Sequence, residues 1–412
     1  MFRSLTAVTP VLMGITCVSS GIGLIATMVG IRLGLEEVPA HLTSLVMAGY
    51  PLGFLLGCLF GRQTISAVGP VRAFAAFGGL ATASALGLAL VDDAYAWSVF
   101  RLGTGFCAAG LYTVAESWLN ARATTTTRGA VLAAYMITDK LAYSGGQALI
   151  ASGDPAAPTL FVAGGLLLSL CLVPIALTRV QAPVVAGPIR YGLGRLVRVS
   201  PVAVVATVAC GIGNTSLALA GPTFAAAIGL DAGQIAVFMA LVFVGGLTLQ
   251  WPIGWASDRF DRRSVLLGAL LATVVAAVVM AAVGTSAPAL NILGFVFGGA
   301  VFVIYPLAVG HANDFADQDE VVGVSAGLLL CWALGSVAGP PAASYLMAWF
   351  GPSALFFFIG GIYGLAALFT VYRMRVRAAP PTEAQGPFVA MPTTPAVAEL
   401  NPRSTPDADE AV

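Results

Sequence analysis

Runs of about 20 apolar residues, each closed by a short polar turn, recur twelve times along the chain, which is the length a helix needs to cross a bilayer. They fall at roughly 7–31, 42–61, 71–91, 95–117, 128–151, 159–178, 201–222, 233–255, 264–284, 288–310, 321–347 and 352–372. The first is longer than the apolar core of a signal peptide and no clear cleavage site ends it, so it is expected to be retained as a span. The longest internal loop, from Arg179 to Ser200, is rich in Arg, Pro and Gly and divides the spans six and six. Four units follow: a first six-helix bundle at 1–178, a linker at 179–200, a second bundle at 201–377 and a tail at 378–412. The tail is rich in Pro, Ala, Thr and acidic residues, cannot bury a core of its own, and is expected to be disordered.

The two halves read as a repeat. A constant shift of 193 positions superposes Gly53 on Gly246, Gly105 on Gly298, Tyr112 on Tyr305, Asn120 on Asn313 and Gly146 on Gly339. One offset linking spans 2, 4 and 5 to spans 8, 10 and 11 is the pattern of two parallel, pseudo-symmetric six-helix bundles. The expected fold class is therefore an all-α membrane protein of twelve transmembrane helices.

Composition agrees with the pattern and narrows the function. The chain of 412 residues is 58% hydrophobic and 9% charged, with a mean hydropathy of +0.91 and 48 glycines, outside the range of soluble domains. Its 19 basic and 19 acidic residues cancel, and no basic block offers a footprint for nucleic acid. The expected partners are a small-molecule substrate and membrane lipids, with the chain acting as a monomer. With both termini in the cytoplasm, sixteen of the nineteen basic residues lie on that side, Arg32 lies outside, and Arg101 and Lys140 fall within spans. This excess orients the chain in a cell inner membrane. The six cysteines are scattered singly with no CxxC, and His41 and His311 are isolated, so neither a metal nor a cofactor is expected. No HExxH and no clustered carboxylate pair appears within the spans, which argues against an enzyme. Lys140 is the sole lysine and follows Asp139, so the chain has no Walker A loop to drive transport with ATP.

The charges inside spans are the candidates for chemistry. Asp139 lies about eleven residues, or ~16 Å, into span 5, where a lipid-facing carboxylate costs on the order of 3 kcal/mol. Spacing of four puts Tyr135, Asp139, Tyr143 and Gln147 on one face, expected to line a central cavity. Lys140 points about 100° away, so the adjacent charges need not pair with each other. Arg101, roughly two turns nearer the outside on span 4, is the expected partner of Asp139. It shares a polar stripe with Tyr112 and Glu116, although Glu116 could equally reach water from the end of its span. A lysine where arginine fills every other basic position suggests a group that can release its proton; a static buried ion pair is the alternative. Glycine- and proline-rich stretches in spans 7 and 11 could turn Asn214 toward the solute, or simply kink for packing. The same shift of 193 sets Trp332 opposite Asp139. Tyr112, Tyr135, Tyr143, Trp251 and Trp332 could supply faces to a planar ring.

Between spans 8 and 9, "QWPIGWASDRFDRRSVLL" carries Gly254, Asp258, Arg259, Arg262 and Arg263 at the positions of G-x-L-A-D-R-x-G-R-R, with Asp261 replacing the second glycine. Arg101 and Gly105 in "RLGTGFCAAGLY" match R-x-x-x-G in span 4. Over residues 5 to 377 the chain resembles the major facilitator superfamily. The stretches "AESWLNARATTTTRGAVLAAYM" and "IYPLAVGHANDFADQDEVVGVSAGLLL" are similar to its YcaD-type branch. The resemblance implies the major facilitator fold, alternating access, and secondary transport of a small organic solute. The branch includes riboflavin-type vitamin permeases, making vitamin uptake the leading expectation, with proton-coupled drug or metabolite efflux second and a non-transporting scaffold or sensor third. Physically, a carboxylate such as Asp258 beside a helix N-terminus meets unpaired N–H groups, so the loop is expected to latch onto the start of span 5 near Thr127 to Gly129 and hold the outward-facing form. A cluster that serves only to orient the chain would look the same in sequence.

Overall fold

The computed structural model describes residues 2–123, 127–177, 192–282, 287–317 and 320–377, together with 385, 386 and 388. Residues 179–191 of the expected linker and most of the expected tail lie outside these. All secondary structure among the described residues is helical. The first half forms α1 (Phe2–Leu35), α2 (Ala40–Val68), α3 (Pro70–Leu90), α4 (Ala94–Arg122), α5 (Arg128–Ala148) and α6 (Thr159–Leu170), the last continued by α7 (Leu172–Ala176). A short α8 (Leu193–Val199) leads into α9 (Pro201–Ala227), α10 (Ala232–Ser257), α11 (Arg262–Ala282), α12 (Ala287–Asn313), α13 (Val321–Phe350) and α14 (Ala354–Val376). The break between α6 and α7 falls beside Pro174, which lacks an N–H and crowds the carbonyl four residues earlier.

Local signals set the ends. Asp93 accepts from the Ala96 amide at 2.8 Å at the start of α4, and Asp231 with Gln234 closes a reciprocal capping box on α10. Among the described residues ten helices are long and apolar enough to cross a membrane, and the chain is a multi-pass membrane protein. Of the twelve expected spans, α4 and α5 miss that standard. They carry Arg101, Glu116, Asp139 and Lys140, and the fold surrounds them: seventeen residues of α4 are buried, from Trp97 to Leu119.

The six helices of each half pack alike. In the first bundle α1 lies on α5 and α6, α2 on α4, and α3 on α4 and α6; in the second α9 lies on α13 and α14, α10 on α12, and α11 on α12 and α14. Close approach at equivalent glycines enforces the match. A Cβ on Gly146 would sit 2.0 Å from the Ser20 carbonyl oxygen of α1, and one on Gly339 would sit 2.4 Å from the Ile212 carbonyl oxygen of α9. Without water to drive helices together, such small-residue contacts bring backbones into dispersion range. The repeat read from the sequence is thus a repeat of packing.

The bundles meet along α1–α9, α2–α13 and α5–α10. At the end of the molecule away from the start of α1, Thr223 donates to the Gly30 carbonyl at 3.0 Å and Ser44 to the Pro341 carbonyl at 3.3 Å. Deeper, the Tyr143 and Phe243 rings meet tilted by 45° with centroids 4.6 Å apart, and Phe54 meets Trp332 edge-on at 6.4 Å. These contacts tie the bundles from mid-depth to that far end. A recess of ≈ 360 Å³ opens there, lined by Leu33, Val38, Thr43, Ala220 and Met347, and it touches none of the charged residues of α4 or α5.

Candidate functional site

The polar residues of α5 gather against α1. Ile137 and Leu141 are exposed on the outer side of α5, whereas Tyr135, Asp139 and Gln147 are buried and Tyr143 is half-buried. Asp139 accepts at Oδ1 from the Ser19 hydroxyl at 2.7 Å and from the Tyr112 hydroxyl at 3.1 Å, while Ser19 and Tyr112 lie 2.9 Å apart. Its Oδ2 holds the Lys140 ammonium at 2.9 Å. The carboxylate thus has two hydroxyl donors and a cation, which compensate its burial. The lysine side chain keeps 29% of its surface exposed against 4% for that of Asp139, so the pair has one dry and one accessible member.

Two expectations are corrected here. Asp139 and Lys140 do pair: the four-methylene stem of lysine folds across the 100° between neighbouring side chains and returns its ammonium to the carboxylate. Asp139 does not take Arg101 as its ion-pair partner. The expectation treated spans 4 and 5 as neighbours, but α5 packs broadly on α1 and only sparsely on α4. The place foreseen for the guanidinium is taken by Ser19, one of two serines in the apolar run "CVSSGIG". Nothing in that run distinguishes Ser19 from a packing serine.

Arg101 is fully buried, with its guanidinium carbon 4.9 Å from the centre of the Tyr50 ring. None of its three guanidinium nitrogens has a hydrogen-bond partner among the described residues. It is a buried cation supplied with an aromatic face and with donors to spare. Glu116, rather than reaching water, is fully buried and accepts from the Tyr135 hydroxyl at 2.6 Å. Gln147 donates to Thr27 of α1 at 3.1 Å.

In the second bundle Asn214 accepts from the Tyr363 hydroxyl at 2.6 Å and is buried between α9 and α14, a packing contact that ties up its carbonyl oxygen. Tyr363→Phe should cost roughly 1–2 kcal/mol by leaving that oxygen without a donor, read as a lower melting temperature in detergent. Trp332 stands at the bundle junction against Phe54. Trp251, grouped with the ring-binding aromatics on sequence grounds, is 77% exposed on the outside of α10 and joins no interior face.

The loop between α10 and α11 is a dense ionic cluster. Arg262, 1% exposed, donates to Ser257 Oγ at 3.0 Å and to Asp314 Oδ2 at 2.6 Å, and the Asp314 side chain is equally buried. Asp261, the departure from the superfamily's glycine, caps α11 by accepting from the Arg263 amide at 3.0 Å. Arg263 reaches the Arg377 carbonyl at 2.7 Å, and the Arg259 guanidinium lies 3.9 Å from the centre of the Trp255 ring. Asp258 accepts at 2.6 Å from the amide of Phe388, and Arg262 donates to the Gly386 carbonyl at 2.6 Å. Gly386 and Phe388, within the expected tail, thus lie against this loop. Removing one member of a buried pair costs ~3–5 kcal/mol, so Arg262→Ala is expected to lower the melting temperature in detergent by several degrees. A melting point within a degree of the parent would show the Asp314 pair to be idle.

Among the described residues no group of three or more His, Cys, Asp and Glu forms a metal cage. What the interior offers is a carboxylate held by a lysine and two hydroxyls, a second buried carboxylate on a tyrosine, and an arginine that lies on a tyrosine ring with no hydrogen-bond partner among the described residues.

The family model described as Major Facilitator Superfamily matches residues 203–403. An uncharacterized MFS-type transporter of Yersinia pestis is 28% identical over 353 residues, 85% of this chain and 91% of its own. One named YcaD from Escherichia fergusonii is 27% identical over 360 residues with the same coverage. Among solved structures, the nucleoside transporter NupG aligns with a TM-score of 0.73 at 11% identity, over 92% of this chain and 100% of its own. A D-xylose-proton symporter aligns with a TM-score of 0.70 at 16% identity, over 93% and 99%. These two share the fold, two six-helix bundles, and the sequence relatives, MFS-type transporters of which one is named YcaD, extend the likeness to the major facilitator superfamily across both halves of the chain.

Proposed function

We propose that the chain is a secondary active transporter that moves a small organic solute by alternating access and couples the movement to protons through Asp139. The observation that carries the proposal is the buried Asp139–Lys140 pair, with hydroxyls on one carboxylate oxygen and a partly accessible ammonium on the other. Protonation of Asp139 removes the charge that holds Lys140, while Ser19 and Tyr112 can still hydrogen-bond to the neutral acid. The α1–α5 contact is thereby biased between two arrangements by a single proton. Arg101 supplies the solute with a donor fork beside the Tyr50 ring. Tyr143, Phe243, Phe54 and Trp332, which meet where the bundles meet, supply apolar faces for a planar ring.

A riboflavin-type vitamin taken up across the inner membrane, with both termini cytoplasmic and the chain monomeric, is the specific form of this reading. It rests on the resemblance to the YcaD-type branch and on the charge distribution of the loops. The far end, where Thr223 and Ser44 join the bundles, then faces outward, so the arrangement described is the one closed to the outside.

Purified protein in liposomes, offered labelled riboflavin and a panel of other small solutes with and without an inward proton gradient, tests each part. Gradient-dependent riboflavin accumulation is the expected result. Accumulation of another solute in its place overturns the vitamin, equal uptake with and without the gradient overturns the coupling, and no uptake of any solute favours a scaffold.

A further inference from the structure

The α10–α11 loop and the C-terminal segment meet in a way the superfamily loop does not require. Four contacts converge. Gly386 accepts at its carbonyl from Arg262 at 2.6 Å and donates its amide to Asp314 Oδ1 at 3.3 Å. Two residues on, the Phe388 amide donates to Asp258 Oδ1 at 2.6 Å. The Phe388 ring covers Gly254 so closely that a Cβ there would lie 2.5 Å from it, and the ring packs on the apolar core. Gly254, Asp258, Arg262 and Asp314 thus form a small peptide-binding face that reads two backbone amides, one carbonyl and one aromatic ring. Two of the three hydrogen bonds are short and all three involve an ionised partner, the stronger kind.

We propose that this face is a docking site for the chain's own Gly386 and Phe388, and that docking holds the transporter in the arrangement closed at the Thr223–Gly30 end. The occupant is set by the contacts themselves. Asp258 is the carboxylate expected to latch onto the start of α5 when the opposite end opens, and its Oδ1 is engaged here by Phe388. With Phe388 seated over Gly254 and bonded to Asp258, the tail occupies the face of the loop that the latch would turn to α5. The tail therefore competes with the latch and biases the equilibrium between the two arrangements by its differential affinity for them. The proposal rests on the alternating-access reading for its consequence, but docking itself is independent of any solute.

Two measurements on the full chain in liposomes test it without a substrate. Gly254→Cys with Phe388→Cys removes the ring, leaves room for two thiols, and is expected to cross-link in most molecules under mild oxidation. A yield no higher than in detergent-denatured protein overturns docking. In the second, Thr223→Cys reports opening of the far end to a membrane-impermeant maleimide, with the parent chain as background for Cys17 and Cys58. Truncation after Arg377, or Phe388→Ala, is expected to raise its labelling rate about tenfold, the population change that ~1.4 kcal/mol of lost bias produces. Unchanged labelling beside a high cross-link yield overturns the conformational role, since the tail then docks without biasing anything. If no solute were transported, both readouts would still stand, so failure of the transport reading is seen separately.

Discussion

Asp139→Asn is expected to abolish solute accumulation driven by a proton gradient while leaving solute exchange across the membrane intact. The amide oxygen of asparagine can accept from Ser19 and Tyr112 as Oδ1 does now, so the hydrogen bonds that seat α5 on α1 are retained. What is lost is the site that takes up a proton, together with the countercharge of Lys140 at 2.9 Å. One pH unit across the membrane is worth about 1.4 kcal/mol per proton, a tenfold accumulation ratio for a one-proton symporter. In the variant that ratio falls to about one. Counterflow of labelled against unlabelled solute should continue. An Asp139→Asn protein that still concentrates solute tenfold would remove Asp139 from the coupling path. A variant silent in both assays, yet melting at the parent's temperature, would instead place Asp139 in solute binding.

Much of the fold could be read along the chain because the membrane imposes a coarse rule: about twenty apolar residues or no span. The two halves could be matched because backbone approach at Gly146 and Gly339, or at Gly105 and Gly298, tolerates no side chain, and those glycines keep one offset. The four-residue spacing of Tyr135, Asp139, Tyr143 and Gln147 could be read for the same kind of reason, since it follows from helical geometry alone. What could not be read was which helix lies beside which. The expected Asp139–Arg101 pair assumed adjacency of α4 and α5, whereas α1, first in sequence, supplies the hydroxyl between them. Lys140 escaped for a related reason: Cβ direction fixes where a side chain starts, and a long flexible stem decides where it ends. Composition also says nothing of where a tail residue can find a surface. A Pro- and Ala-rich segment cannot form a core of its own, yet Phe388 needs only the preformed surface over Gly254.

A side chain at Gly146 should be the most damaging small change in the first bundle. The glycine lies against the α1 backbone, where an added Cβ would stand 2.0 Å from the Ser20 carbonyl oxygen and 2.7 Å from the Ser20 carbonyl carbon. These are backbone atoms, so no rotamer can relieve the clash, and α5 must move off α1. That displacement also pulls Asp139, about two turns back along α5, away from Ser19, and Gln147, the next residue, away from Thr27. Gly146→Val is therefore expected to cost about 3 kcal/mol or more, beyond ordinary overpacking because packing and buried hydrogen bonds fail together. Gly145, one residue earlier, would meet nothing within 4 Å and should accept alanine with little change. The pseudo-symmetric test is Gly339→Val, whose Cβ would press on the Ile212 carbonyl oxygen of α9. Melting temperatures in detergent should rank the parent and Gly145→Ala together, well above both valine variants. If Gly146→Val melted with the parent, α1 and α5 would have to be separated by more than this structure places between them, and the seat of Asp139 on α1 would fall with it.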